Sequence, residues 1–118
     1  MAKLGPEYLN LDALKAAIDK SARIISANTT LTNADGNVDV DATAAQVTVS
    51  LPAAATYTGP EITVTKIDAS LNPVTVDCDA VGDKINDEDS VQINGQYDSL
   101  TFYNYKATNM WRIKALAS

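Results

Sequence analysis

The sequence predicts a mainly β protein that begins with a short N-terminal α-helix. Apolar residues recur at helical spacing from Asn10 to about Arg23, whereas after Asn28 they alternate with polar residues in a period of two. Turn-forming residues separate the alternating stretches about every ten positions, with no helical stretch between them. Strands this frequent favour an antiparallel sandwich, a barrel-like domain or a trimeric prism.

The N-terminal segment has the pattern of an amphipathic helix, and it divides the chain in two. The positions on one helical face are Leu11, Leu14, Ile18 and Ala22. The positions that recur every seven residues are Leu4, Leu11, Ile18 and Ile25, which is a short coiled-coil pattern. The helix is expected to pack either on other helices or on its own β domain. We therefore predict an N-terminal helical segment over residues 1–27 and a β-rich domain over residues 28–118.

The strand predictions depend on the alternation of apolar and polar residues along the chain. Apolar residues that share a face with others in their strand are Val38, Val40, Val47, Val49, Leu51, Ile62, Val64, Val74, Val76, Cys78, Val91, Ile93, Leu100, Phe102, Trp111 and Ile113. Lys66 falls where an apolar residue is due, and Ile67 follows it, so we expect a one-residue bulge near Thr65. Tyr103 and Tyr105 face away from Phe102, which predicts a strand that is covered on both sides.

The composition is that of a globular domain, and it excludes several classes of function. The chain has 118 residues, of which 46% are hydrophobic and 20% charged, with a net charge of −6. An acidic chain lacks the basic surface that nucleic acids or anionic membranes require. No apolar run is long enough to span a bilayer, and the N-terminus does not resemble a signal peptide. We therefore expect a protein that is made in the cytoplasm and binds neither nucleic acid nor membrane.

The residues needed for common catalytic and metal chemistry are missing. The chain has no histidine, which excludes Ser-His-Asp, Cys-His and histidine-ligated metal sites. Its single cysteine, Cys78, excludes an intrachain disulfide, and its strand position predicts a small buried apolar residue. No carboxyl group stands in an apolar setting that would raise its pKa and make it a general acid. We predict no catalytic residue, no cofactor and no enzymatic activity.

The sequence contains two acidic clusters, and the first of them has the ligand pattern of a cation site. The first consists of Asn33, Asp35, Asn37, Asp39 and Asp41, with oxygen ligands at alternate positions. It lacks a closing glutamate, and Asp35 with Gly36 is accounted for by a hairpin turn. The second cluster, which is expected to be a solvated loop, consists of Asp83, Asp87, Glu88 and Asp89. We therefore assign no metal ligand.

Four aromatic residues are candidates for recognition: Tyr97, Tyr103, Tyr105 and Trp111. Together they would suit a carbohydrate-binding platform, whereas the alternative is cross-strand packing or a subunit interface. We favour a subunit interface that contains Tyr103 and Tyr105. One chain of this size has difficulty covering both faces of that strand, whereas a closed ring of three copies can do so, and we predict a homotrimer.

From about Gln46 to Ile113 the order of features resembles a module of phage tail-fibre, head-fibre and capsid-decoration proteins. The residues that carry the resemblance are Leu51-Pro52-Ala53-Ala54, Gly59, Ile62 to Asp68, Asn72 to Val76, Ile85, Val91 to Ile93, Tyr97 to Phe102 and Trp111 to Ile113. The chain departs from the pattern at Asn109 and Met110, where many such modules have a glycine turn. The resemblance implies a β-rich, trimeric protein that serves particle structure, attachment or receptor binding.

These observations predict that the chain is a phage virion protein, namely a trimeric capsid-decoration or head-fibre subunit. Its short length favours a stand-alone shell protein over one part of a long fibre. The expected partner is the major capsid protein, which the N-terminal segment would contact through Leu4, Leu11, Leu14 and Ile18. The alternative function is a carbohydrate- or receptor-binding tail-fibre module, with a host-surface glycan as its partner.

Overall fold

The computed structural model describes residues 22–105 and 109–114, and this part of the chain is built from strands. The strands in chain order are β1 (Ala22–Ile25), β2 (Thr29–Thr30), β3 (Asn37–Val40), β4 (Val47–Leu51), β5 (Ile62–Lys66), β6 (Val74–Cys78), β7 (Lys84–Ile85), β8 (Ser90–Ile93), β9 (Ser99–Tyr105) and β10 (Met110–Ile113). The prediction of a mainly β protein is confirmed. Within the described residues no helix is present that could cross a membrane.

The strands form a larger sheet with the order β1-β3-β5-β9-β10-β7 and a smaller sheet with the order β2-β4-β6-β8. Strands β1 to β6 belong alternately to the larger and the smaller sheet, so the chain follows a coil of three turns. Within the larger sheet β3 pairs in parallel with β1 and β5, and within the smaller sheet β4 pairs in parallel with β2 and β6. Two facing sheets are compatible with the predicted sandwich.

The prediction of antiparallel sheets is wrong for the coil, because both sheets are mixed. Antiparallel pairing is found where β9 joins β5 and β10, and where β8 joins β6, whereas β7 pairs in parallel with β10. Asp35 and Gly36, which predicted a hairpin, instead lie between a strand of the smaller sheet and one of the larger sheet. A strand that is reached after two such crossings runs in the same direction as its neighbour.

The predicted N-terminal helix is not supported. Residues 10–21 of the predicted helix lie outside the described residues, and its last two residues, Ala22 and Arg23, belong to β1. Strand β1 pairs in parallel with β3 at the edge of the larger sheet, with Ile25 opposite Val40. Ile25 is buried whereas Ile24 is 70% exposed, so the side chains of β1 already alternate between the core and the outer face. The β structure therefore includes residues 22–25.

A single core lies between the sheets. Its buried residues are Ile25, Leu31, Val38, Val40, Ala42, Val47, Val49, Leu51, Ala54, Tyr57, Ile62, Val64, Val74, Val76, Ile85, Ile93, Phe102 and Trp111. The predicted inward positions Cys78, Val91, Leu100 and Ile113 are partly buried against this cluster. Each fully buried Val, Leu or Ile side chain contributes about 1.5–3 kcal/mol to stability.

Lys66 keeps its place in the alternation, and the bulge predicted near Thr65 is wrong. Ile62, Val64 and Lys66 are all buried, and the pairing of β5 with β3 continues without interruption to Lys66. The Lys66 side chain is fully buried, and its Nζ lies 2.6 Å from Oδ2 of Asp68. A lysine can occupy this inward position because a carboxylate two residues later neutralises its charge inside the protein.

Asp68 connects two successive turns of the coil. Its Oδ1 accepts a hydrogen bond of 2.7 Å from the amide of Ala42, which follows β3. Its Oδ2 accepts hydrogen bonds from the amide and the hydroxyl of Ser70, in addition to the one from Lys66. The Asn72 side chain then donates to the carbonyl of Ala42 at 2.8 Å. The connections β3–β4 and β5–β6 are thereby held together at one end of the molecule.

These contacts also determine the protonation of Asp68. Burial of the carboxyl group by itself raises its pKa, but the hydrogen bonds from Lys66, Ser70 and Ala42 outweigh that effect. The pKa of Asp68 therefore lies far below its usual range, and the carboxylate is charged at neutral pH.

The first prediction concerns the stability that Asp68 supplies. Replacement of Asp68→Ala leaves the Lys66 ammonium group buried without its counter-ion and the Ala42 amide without its acceptor. We expect the free energy of unfolding to fall by about 3 kcal/mol or more, measured by urea denaturation. Asp79→Ala, which removes an exposed carboxylate, is the control. A loss no larger than that of the control would contradict the assigned role.

The second prediction concerns the loss of folding stability at low pH. Because the pKa of Asp68 is lower in the folded than in the unfolded protein, its contribution is complete above the ordinary carboxyl pKa of about 4 and disappears as the pH falls below it. The stability difference between the wild type and Asp68→Asn should therefore shrink between about pH 5 and pH 2. Urea unfolding of both proteins across this range measures it, and a difference that stays constant with pH would contradict the prediction.

Candidate functional site

The outer face of the smaller sheet carries short polar side chains that bind one another. Ser50 on β4 donates a hydrogen bond of 2.6 Å to Asp77 on β6, and Gln92 on β8 donates one of 3.4 Å to Thr75. Strand residues in register across the sheet make these contacts. The strands of this sheet carry no aromatic residue, so its outer face exposes small and polar side chains.

The outer face of the larger sheet differs because it carries exposed aromatic rings. We call it the tyrosine face, and its residues are Ile24, Asp39, Thr63, Thr65, Thr101, Tyr103, Tyr105, Met110 and Arg112. Phe102 is fully buried, whereas Tyr103 and Tyr105 are 37% and 44% exposed. The predicted division of strand β9 into an apolar side and a tyrosine side is therefore confirmed. Whether the tyrosines form a subunit interface stays a prediction.

Neighbouring strands place an arginine beside the tyrosines. Arg112 on β10 lies opposite Tyr103 on β9, and its guanidinium carbon lies 4.8 Å from the centre of the Tyr105 ring. A cation above an aromatic ring at this distance is attracted by the electrons of the ring face. The contact holds the long arginine side chain against the sheet. The face therefore offers apolar area, two phenolic hydroxyl groups and one positive charge.

The four aromatic residues do not lie together on one carbohydrate-binding platform. Trp111 is fully buried, its ring centre is 5.2 Å from that of Tyr57, and its Nε1 donates to the carbonyl of Pro52 at 2.9 Å. Tyr97 is 71% exposed in the turn before β9, whereas Tyr105 ends that strand. Seven residues of strand separate these two ends by about 20 Å.

The first acidic cluster is divided among different contacts. The buried Asp35 carboxylate lies 3.2 Å from the Arg23 guanidinium group and accepts a hydrogen bond from the amide of Thr32. The hydroxyl of Thr43 donates to Asp41 at 2.6 Å, and this bond lowers the pKa of Asp41. Within residues 22–105 and 109–114, no three acidic or cysteine side chains are grouped as a metal site.

A groove of about 490 Å³ lies beside this cluster, and no sequence pattern predicted it. Its lining includes Asn33, Asn37, Glu61 and Thr63, with Tyr57 and Gly59 below. The Tyr57 hydroxyl donates to the carbonyl of Asp35 at 2.8 Å, and burial raises the pKa of Tyr57. A side chain at Gly59 would collide with the Tyr57 ring. Because Glu61 lies 3.0 Å from Lys114, its carboxylate is already paired.

The second acidic cluster and Cys78 behave largely as expected. Asp87, Glu88 and Asp89 are exposed, and Asp89 pairs with Lys84, while Asp83 accepts a hydrogen bond from the amide of Ala54. Cys78 is only partly buried, although full burial was expected. Burial and the nearby carboxylates raise the pKa of its thiol to about 12, so the reactive thiolate is scarce at neutral pH.

The predicted attachment residues Leu4, Leu11, Leu14 and Ile18 lie outside the described residues. Neither a protein-family model, nor a curated protein, nor a solved structure matches this chain. The tyrosine face is therefore the candidate site on which a functional proposal can be built from the structure.

Proposed function

We propose that this protein is a structural component of a phage particle, a trimeric capsid-decoration or head-fibre protein that is attached through its N-terminal segment. The observation that carries the proposal is the difference between the two outer faces of the sheets. Tyr103 and Tyr105 expose aromatic area on one face, whereas the strands of the other sheet carry no aromatic residue. Exposed aromatic rings on one face alone support a subunit that turns its tyrosine face toward a partner.

The tyrosine face supports association between copies of the chain. Aromatic residues are enriched in the centres of subunit interfaces, and Tyr and Arg frequently dominate their binding energy. In the proposed trimer the tyrosine faces of three copies surround the symmetry axis, and the polar faces of the smaller sheets lie outside. A closed ring gives every copy the same environment and leaves none of these faces in water.

Attachment is assigned to the segment that precedes β1. Strand β1 is an edge strand of the larger sheet, so the chain enters the domain at its side. The proposed contact residues are Leu4, Leu11, Leu14 and Ile18. They would bind the major capsid protein, and the β domain would be the displayed part of the virion subunit. The proposed role is non-catalytic, and the protein would be made in the host cytoplasm before it joins the particle.

The third prediction is incorporation into particles. Mass spectrometry should find the protein in purified virions, and deletion of residues 1–21 should abolish incorporation while the β domain stays folded. The deletion ends at residue 21 because β1 begins at Ala22 and pairs with β3. Retained fluorescence of the buried Trp111 verifies the fold. A protein that is found in the lysate but never in virions would refute the proposed function.

Incorporation of the truncated protein at wild-type copy number would assign attachment to the β domain instead. Binding to a glycan array that is lost with Tyr103→Ala or Tyr105→Ala would favour the receptor-binding alternative.

The fourth prediction is that the two tyrosines hold the trimer together. Sedimentation equilibrium of the full chain should give a trimer, and the double variant Tyr103→Thr with Tyr105→Thr should weaken association at least about tenfold. Threonine preserves strand propensity, so the fold is expected to persist. Tyr97→Asn removes an exposed ring from a turn and should leave association unchanged. A monomer near 12.5 kDa for the wild type would refute the trimer.

A further inference from the structure

The turn between β8 and β9, residues 94–98, carries an aromatic residue in a strained backbone conformation. The non-glycine residues with a positive φ in the described chain are Asn86, Asp87, Tyr97 and Asn109. Asparagine and aspartate tolerate this left-handed conformation, whereas a bulky tyrosine adopts it at a cost in folding stability. Tyr97, with a φ of 66°, is therefore the exception among them.

The side chain of Tyr97 does not offset this strain with contacts inside the protein. Its ring is 71% exposed, and its hydroxyl group has no hydrogen bond to another described residue. Its backbone is nevertheless fixed, because its amide donates to the Lys66 carbonyl at 2.6 Å and the Lys66 amide donates to the Asp98 carbonyl at 3.1 Å. The fold thus holds an exposed ring in place without burying it, and residues strained in this way are typical of binding sites.

Polar groups without partners surround the ring in the same turn. The side chains of Asn94 and Asp98 are exposed, and neither has a hydrogen bond or ion pair with another described residue. Gly95 leaves room for the Asp98 carboxylate, since a Cβ atom at that position would lie 2.4 Å from its Oδ2. The turn therefore offers one aromatic ring together with a carboxylate and an amide that can bind a ligand.

The end of the domain that contains this turn has no exposed positive charge among the described residues. Its connections are residues 26–28, 41–46, 67–73 and 94–98, and they contain neither lysine nor arginine. The cation beside them, Lys66, is fully buried and paired with Asp68. An anionic ligand would meet the Asp98 carboxylate without a compensating charge, so the turn suits a neutral ligand.

We propose that the turn of residues 94–98 binds a neutral saccharide. The C–H groups on one side of a pyranose ring pack against the ring of Tyr97, and the sugar hydroxyl groups donate hydrogen bonds to the Asp98 carboxylate and the Asn94 side-chain carbonyl. One exposed ring among polar groups suits a small ligand, because a protein partner would need to cover about 800 Å² on each side.

This site lies within one chain, so it does not depend on the proposed trimer. Strand β1 begins at the opposite end of the domain, because Ala22 pairs with Asn37 whereas Ile25 pairs with Val40 at the end that carries the turn. In the proposed particle protein the N-terminal segment attaches at one end and the turn points away from the shell at the other. A closed ring places three such turns at the same end, which strengthens binding to a surface with many copies of the saccharide.

Saccharide binding by the full chain tests the proposal. An array of neutral and sialylated oligosaccharides identifies the best ligand, and calorimetric titration with that free oligosaccharide measures its Kd. We expect a neutral ligand whose binding weakens at least about tenfold with Tyr97→Asn and stays within about threefold with Tyr97→Phe, which keeps the ring. Tyr103→Thr, which removes an exposed tyrosine from the tyrosine face, should bind the free oligosaccharide like the wild type.

Urea unfolding separates a binding role of Tyr97 from a structural one. Because asparagine tolerates the left-handed conformation, Tyr97→Asn should raise the unfolding midpoint by about 0.5 M while it removes binding. A lower midpoint would show that the ring supports the fold, and it would overturn the proposal. No binding on the array, preference for sialylated ligands, or full binding by Tyr97→Asn would also overturn it. Mass spectrometry of virions tests the proposed function independently of all these results.

Discussion

The coil is held in register by the buried ion pair of Lys66 and Asp68. The Asp68 carboxylate binds the connection that follows β3, and the Lys66 backbone exchanges hydrogen bonds with the turn before β9, at 3.1 Å to the Asp98 carbonyl and 2.6 Å from the Tyr97 amide. One residue pair thus joins the connection after β3, the end of β5 and the start of β9. A buried pair costs desolvation, so it stabilises the fold only because each partner is fully hydrogen-bonded.

The position of β9 follows from this arrangement, and the tyrosine face follows from β9. The hairpin of β9 and β10 adds to β5 in the antiparallel direction, and it supplies both Phe102 and Trp111 to the core. Because side chains alternate along a strand, burial of these two rings turns Tyr103 and Arg112 outward. The core and the proposed interface are therefore two sides of the same hairpin, and neither can change register without the other.

The outer faces of the two sheets have different roles in the proposed subunit. The smaller sheet carries no aromatic residue in its strands, whereas the larger sheet exposes the rings of Tyr103 and Tyr105. The proposed role in a particle fits this asymmetry, because one surface would face water while the other associates. The groove beside Asp35 does not share that character, since its carboxylates are already paired with Arg23 and Lys114.

Alternation of apolar and polar residues predicted, without a structure, the strands β3 to β6 and β8 to β10 and most of their inward side chains, because the period of two is a local property of an extended chain. It missed β1, β2 and β7, of which β2 and β7 are only two residues long. That rule correctly separated Phe102 from Tyr103. Pairing direction is not local: parallel strands result from the route of the chain between two sheets, which only the tertiary structure decided. Burial of Lys66 likewise depended on a carboxylate supplied by the folded loop, and the sequence pattern alone could not reveal that the charge had a partner.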